Sequence, residues 1–280
     1  AFLRPENLVN ILRQVSVIGV IAVGMTIVII AGGIDLSVGS MVALIGVLAI
    51  EAMNAAMKSG TGEGAAVALA FGVALLSGPL LGLVNGALVA YGRVAAFIAT
   101  LGAMLAYRSL ALTFADGGQA TSASREMFST LGSGGVPIPG LHIDDAGNVP
   151  LRLPYSVLIF FAAACVGQVV LGMTRFGRHV YAVGCNERAS FYAAINVRRV
   201  RLLTFVLLGT CVGLGALLNA SRMNSVSSGN AAVLMELDVI AAVVIGGTSM
   251  AGGRGWVIGS VLGAITLGLG LGYAALAAVT

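Results

Sequence analysis

The chain has 280 residues, of which 15 are basic and 11 acidic, so charged side chains make up 9% of it against about 25% in water-soluble domains. With 58% apolar residues and a mean hydropathy of +1.01 it cannot cover a water-facing surface, and it holds too much Leu, Val, Ile and Ala to stay disordered. A polytopic membrane protein remains.

Stretches free of charge follow one another along the chain. They run over residues 15–34, 36–50 (extending past Glu51 to about 57), 64–92, 94–107 (past Arg108 to about 115), 153–174, 202–221, 239–253 and 255–280. About twenty residues at about 1.5 Å each span a hydrocarbon core of about 30 Å, so these predict about eight transmembrane helices in one all-α domain covering 1–280. Helices are required because lipid leaves no partner for an open backbone, and the ten-residue alternation of a barrel is absent. The run at 239–253 is short for a crossing.

Arginines set the orientation. Residues 175–201 hold six of them (Arg175, Arg178, Arg188, Arg198, Arg199 and Arg201) and one acid, Glu187, which makes this loop cytoplasmic. The other long loop, about 116–153, holds four acids and two arginines with Pro137, Pro139 and Pro150, and one span separates the two, so it is external. Arg93 and Arg254 then fall inside and residues 1–14 outside. The net charge of +4 is thereby assigned to topology rather than to nucleic acid.

Glycine is abundant, with 40 residues. Gly78, Gly82 and Gly86 form a small-xxx-small ladder, Gly209 and Gly213 a second, Gly259 and Gly263 a third, each able to admit a close neighbour from this chain or from another copy. Two further sites interrupt apolar runs: Gly32-Gly33-Ile34-Asp35-Leu36-Ser37, and Gly246-Gly247-Thr248-Ser249 through Gly252-Gly253. They read either as tight turns between spans or as the paired breaks of a repeat-built transporter core. Intramembrane polar residues sharpen this. Asp35, Asn85 and Thr100 suit a polyol path or interhelical hydrogen bonding, Glu51 and Arg108 suit helix ends that snorkel, and Glu236 with Asp238 forms an acid pair favoured by a helix N-terminus. Cys165, Cys185 and Cys211 include no CxxC pair, and His142 and His179 stand far apart, so no metal site is expected. The single lysine, Lys58, lacks the glycines of a P-loop, so no nucleotide site and no catalytic residue are expected.

Five blocks give a resemblance. Ala22-Val23-Gly24-Met25-Thr26, Gly32 to Ser40 (Gly-Gly-Ile-Asp-Leu-Ser-Val-Gly-Ser), Ala96 to Gly102 (Ala-Phe-Ile-Ala-Thr-Leu-Gly), Gly177 to Glu187, and Glu236 to Gly253 follow in collinear order over nearly the whole chain. They resemble the permeases of ribose-type ABC sugar importers. The resemblance implies an all-helical permease of about ten spans, so one more span is expected beyond each end. It also implies a bacterial inner-membrane location and pairing with a second permease copy. Two ABC ATPase subunits would bind ATP on the cytoplasmic side, and a periplasmic or lipid-anchored sugar-binding protein would deliver solute outside. In such permeases the loop after Gly184 carries a coupling helix that seats on the ATPase. That role falls here on Gly184, Asn186, Glu187, Ala189, Ile195 and Asn196, with two departures: Arg188 replaces the family's Ala, and Ala194 replaces its Gly. Candidate pathway residues are Asp35, Asn85, Phe97, Thr100, Thr248 and Ser249. A stand-alone ion-coupled carrier, a permease of this family for nucleosides or other small polar solutes, and a scaffold without flux are the competing readings.

Overall fold

In the computed structural model the backbone is described for residues 5–124, 126–142 and 150–277, and side chains for all of these except 6, 139–142 and 271–277. Asp144 and Asp145 of the external loop, the His142 side chain and the last residues of the final run, 278–280, lie outside the described residues.

Helices dominate in the expected order. Four come first: α1 (Pro5–Ile30), α2 (Val38–Lys58), α3 (Glu63–Ala90) and α4 (Ala96–Phe114). A cap follows, made of β1 (Gln119–Thr121), α5 (Met127–Ser133), β2 (Gly135–His142) and β3 (Pro150–Pro154). Then come α6 (Tyr155–Met173), α7 (Arg175–Cys185), α8 (Glu187–Tyr192), α9 (Val197–Met223), β4 (Ser225–Ser227), α10 (Met235–Ile245) and α11 (Val257–Ala277). Helices α1, α2, α3, α4, α6 and α9 are long and apolar enough to cross a bilayer, and α11 has 21 residues. The seventh expected crossing differs. Helix α10 has only 11 residues, about 16 Å at about 1.5 Å per residue, so it reaches half-way. Gly246 and Gly247 end it, the latter at φ +86°, and non-helical chain returns to α11.

Helix α1 is the axis of the molecule, packed by α9, α11, α6, α10 and α7 with Val20, Ile21, Met25, Ile29 and Ile30 fully enclosed. Helices α3, α4 and α6 form the periphery and turn Leu76, Leu105 and Val166 outward. The tightest pairing joins α3 to α9, where the first two glycine ladders face each other: a Cβ at Gly78 or Gly82 would collide with the carbonyls of Gly209 or Phe205, and one at Gly209 with that of Gly78. The third ladder packs α11 on α10 in the same way, Gly259 and Gly263 meeting Gly246 and Ala242. Within the described chain these ladders act as internal packing, because lipid offers no hydrophobic drive and close backbone approach must supply dispersion contact instead.

The described residues of the loop between α4 and α6 form short strands and a helix. Strand β1 pairs antiparallel with β4, and β2 with β3. Phe128 of α5 is fully buried, and Ser221 of α9 ties α5 down by donating to the Phe128 carbonyl and accepting from Gly132 N–H.

Candidate functional site

The first break carries a closed polar network. After α1 ends, Gly32 at φ +82° turns the chain, and residues 31–37 run non-helical to the start of α2. Asp35 is 1% exposed and has no basic partner within ion-pair distance among the described residues. Its Oδ1 accepts from Ser37 N–H at 2.8 Å and Ser37 Oγ at 2.6 Å, and its Oδ2 from Asn85 Nδ2 at 3.0 Å. Asn85, on α3, also donates to Ser37 Oγ at 2.8 Å and accepts from Tyr107 Oη at 2.9 Å. Thr100 on α4 accepts from Leu36 N–H at 3.1 Å and donates to the Ala96 carbonyl at 2.8 Å. Three of the six candidate pathway residues, Asp35, Asn85 and Thr100, therefore meet where the break crosses α3 and α4. Such a network rigidifies the break when every member is satisfied and is costly when one is lost.

The other three candidates lie elsewhere. Phe97 projects outward from α4, away from the network. Thr248 and Ser249 lie in the return from α10 to α11: Ser249 N–H donates to the Arg254 carbonyl at 2.9 Å, and Thr248 packs its side chain against Gly255. The Thr248 hydroxyl is buried with no hydrogen-bond partner among the described residues. The two glycine breaks nonetheless touch each other. Gly253 N–H donates to the Ile30 carbonyl at 2.8 Å, and Gly252 abuts Gly32. Gly184 completes the junction, and a Cβ there would collide with the Ile30 carbonyl.

Below this junction lies the arginine-rich segment. Helix α7 is capped by Thr174, whose Oγ1 accepts from Gly177 N–H at 3.1 Å. The Tyr181 hydroxyl donates to the Gly255 carbonyl at 2.7 Å, and burial raises its pKa above the usual phenol value. Asn186 caps α8 by accepting from Ala189 N–H at 3.0 Å, and Asn196 caps α9 by accepting from Arg199 N–H at 3.1 Å. Glu187 forms a two-pronged pair with Arg201 of α9, at 3.0 and 2.7 Å. The N-terminal turn of α8 is thus tied through Glu187 to α9, a helix long and apolar enough to cross the membrane, and its C-terminal end leads directly into the same helix. Between the caps, Ala194 takes φ +61°, the left-handed conformation that glycine adopts freely and alanine rarely does. A cavity of about 1320 Å³ opens beside α8, bounded by Gly32, Gly33, Arg93, Glu187, Ile195, Asn196 and Arg201.

Three residues were not singled out from the sequence: Phe191, Tyr192 and Tyr107. Phe191 and Tyr192 of α8 stand 69% and 86% exposed with ring centroids 6.0 Å apart, the most open aromatics of the described chain and the part of α8 that protrudes. An aromatic pair inside an arginine-rich loop was the available signal. Tyr107 closes the Asp35 network, and nothing but its place in an apolar run could have marked it. Arg108 does not snorkel: it donates from Nη1 to the carbonyls of Ser228 and Ala231, at 3.0 and 2.9 Å. No group of His, Cys, Asp and Glu able to hold a metal occurs among the described residues.

Residues 7–276 match the family described as branched-chain amino acid transport system / permease component. The chain is similar to the ribose import permease protein RbsC of Haemophilus influenzae, 38% identical over 95% of this chain and 76% of the relative. It is 39% identical to RbsC of Escherichia coli K12 over 95% of this chain and 77% of that one. It is also 35% identical to the xylose transport system permease protein XylH of E. coli K12, over 95% and 78%. No solved structure gives a significant match.

Proposed function

Because the chain belongs to the branched-chain amino acid transport system / permease component family, we propose that it is the membrane-spanning subunit of an ATP-driven ABC importer for a monosaccharide such as ribose or xylose. The relatives named as ribose and xylose permeases support the sugar class. The observation that carries the partnership is α8, a short helix fixed by caps and by the Glu187–Arg201 fork to α7 and α9, with Phe191 and Tyr192 projecting from it. A helix held this way moves with α9, so closure of ATPase subunits bound to it pulls on that span, and through α7 on α6 as well. Gly184, Asn186, Glu187, Ala189, Ile195 and Asn196 are its scaffold: Gly184 against the α1 terminus, the two asparagines as caps, Glu187 as the fork.

In this reading ATP is bound by separate ATPase chains and the permease holds no cofactor. A second copy completes the path, and an extracytoplasmic sugar-binding protein supplies the solute in the inner membrane of a bacterium. The Asp35–Asn85–Thr100 network holds the first break, and alternating access moves α2, α3 and α4 about it. Asp35, Asn85, Phe97, Thr100, Thr248 and Ser249 are the pathway candidates of this reading. Proteoliposomes containing this chain, its ATPase and its binding protein should take up radiolabelled ribose or xylose only while ATP is hydrolysed. Uptake at the full rate with the ATPase inactivated would point instead to an ion-coupled carrier.

A further inference from the structure

The return from the outer face after α9 is unusual for a chain in lipid. Strand β4 pairs with β1 at the cap, and the next helical residue is Met235, which starts the half-length α10. The end of α10 packs on Gly259 and Ser260 near the cytoplasmic start of α11, so Met235 lies at about mid-depth, about 16 Å above that end. Residues 228–234 therefore pass through the outer half of the bilayer without regular structure. Ala232 and Leu234 hold left-handed backbone, at φ +55° and +63°. Two fixtures keep them there. Arg108 binds the Ser228 and Ala231 carbonyls, and Gly39, the second residue of α2, lies against the Ala232 carbonyl and the Glu236 carboxylate.

This segment is not enclosed. Val233, Leu234 and Leu237 are each more than half exposed, Asn230 is exposed, and Glu236 and Asp238 are partly so. Among the described residues neither acid has a basic group within ion-pair distance, although Arg108 lies in the field of Glu236. Irregular backbone at membrane depth is tolerated only where protein buries it or water reaches it, and an unpaired intramembrane carboxylate has the same requirement. Lipid contact is therefore excluded twice, by the backbone and by the acids.

We propose that Ser228–Asp238 lines the water-filled route of the solute, presenting Asn230, Glu236 and Asp238 to it. An amide and two carboxylates are hydrogen-bonding partners suited to the hydroxyls of a polyol, and the neighbouring Val233 and Leu237 offer apolar surface to its C–H faces. The proposal rests on the importer reading but assigns the route to a segment different from the closed Asp35 network.

The test is cysteine accessibility in membrane vesicles containing the permease without its ATPase. Cys165→Ser, Cys185→Ser and Cys211→Ser provide the background. Asn230→Cys, Val233→Cys, Leu234→Cys and Leu237→Cys are compared with Leu76→Cys on α3 and Val166→Cys on α6. A charged methanethiosulfonate reagent should modify the four segment positions about tenfold faster than the two controls, because the reactive thiolate forms only where water reaches it. Rates equal to the controls would overturn the proposal. So would oxidant-induced disulfides between copies at these positions without reagent access, which would make the segment a dry seal. The readout needs no ATP, so its failure leaves the importer reading standing, and failed ATP-driven uptake leaves the labelling pattern intact.

Discussion

Asp35 shows how much a single position depends on its neighbours. A carboxyl sealed from water is costly unless its lone pairs are used, and two side chains and one N–H use them here. Asn85 is the hub, because it alone touches Asp35, Ser37 and Tyr107. Asn85→Ala should therefore lower stability by about 2–4 kcal/mol, since several buried groups lose partners at about 1–3 kcal/mol each, and thermal unfolding in detergent will measure it. Ala194 offers a controlled comparison. Replacing it by Gly removes a left-handed penalty of about 1–2 kcal/mol, against a chain-entropy loss of about 0.4–1 kcal/mol. Ala193→Gly, at ordinary φ −81°, only loses entropy. Ala194→Gly should melt higher than Ala193→Gly, and the reverse order would mean that the turn is not left-handed in the working protein.

At the scale of elements, α8 has too few residues to be stable alone and persists through its caps and the Glu187 fork. The fork itself is a surface pair, worth about 0–1 kcal/mol, so its value lies in orientation rather than stability. Phe191 and Tyr192 touch little else in the chain. The double change Phe191→Ala, Tyr192→Ala should alter the melting temperature little, about 0.5 kcal/mol or less, yet abolish co-purification of the ATPase and ATP-driven uptake. Retained co-purification would move the docking surface elsewhere on the cytoplasmic face. The half-helix α10 teaches a different lesson about elements. Its apolar run was visible in the sequence, but periodicity measures how far hydrophobicity extends and not how far a helix continues. Gly246 and Gly247 ended it early.

For the whole molecule, stability is graded from the axis outward. Helix α1 is enclosed by five other helices, so its amides open only with the fold. Hydrogen exchange in detergent should find α1 the slowest segment. Residues 228–234 should be the fastest within the membrane depth, as a water-lined route requires. Slow exchange over 228–234 would count against it.

The sequence by itself determined the solvent, the order and approximate bounds of six crossings, the arginine-rich loop and the family blocks. Each is a local property, set by charge scarcity, run length or a short motif, so it survives being read one residue after another. The tertiary structure decided the rest: that Asp35 and Asn85 share one network, with Thr100 bonded to the backbone of the same break, while Phe97, Thr248 and Ser249 lie elsewhere, that the two glycine breaks touch at Gly184, that α10 stops half-way, and that Arg108 clamps a chain 120 residues away. Those facts depend on which helix faces which. In lipid that choice rests on backbone fit at small residues and on the pairing of a few polar groups, and a linear sequence shows the groups without showing their partners.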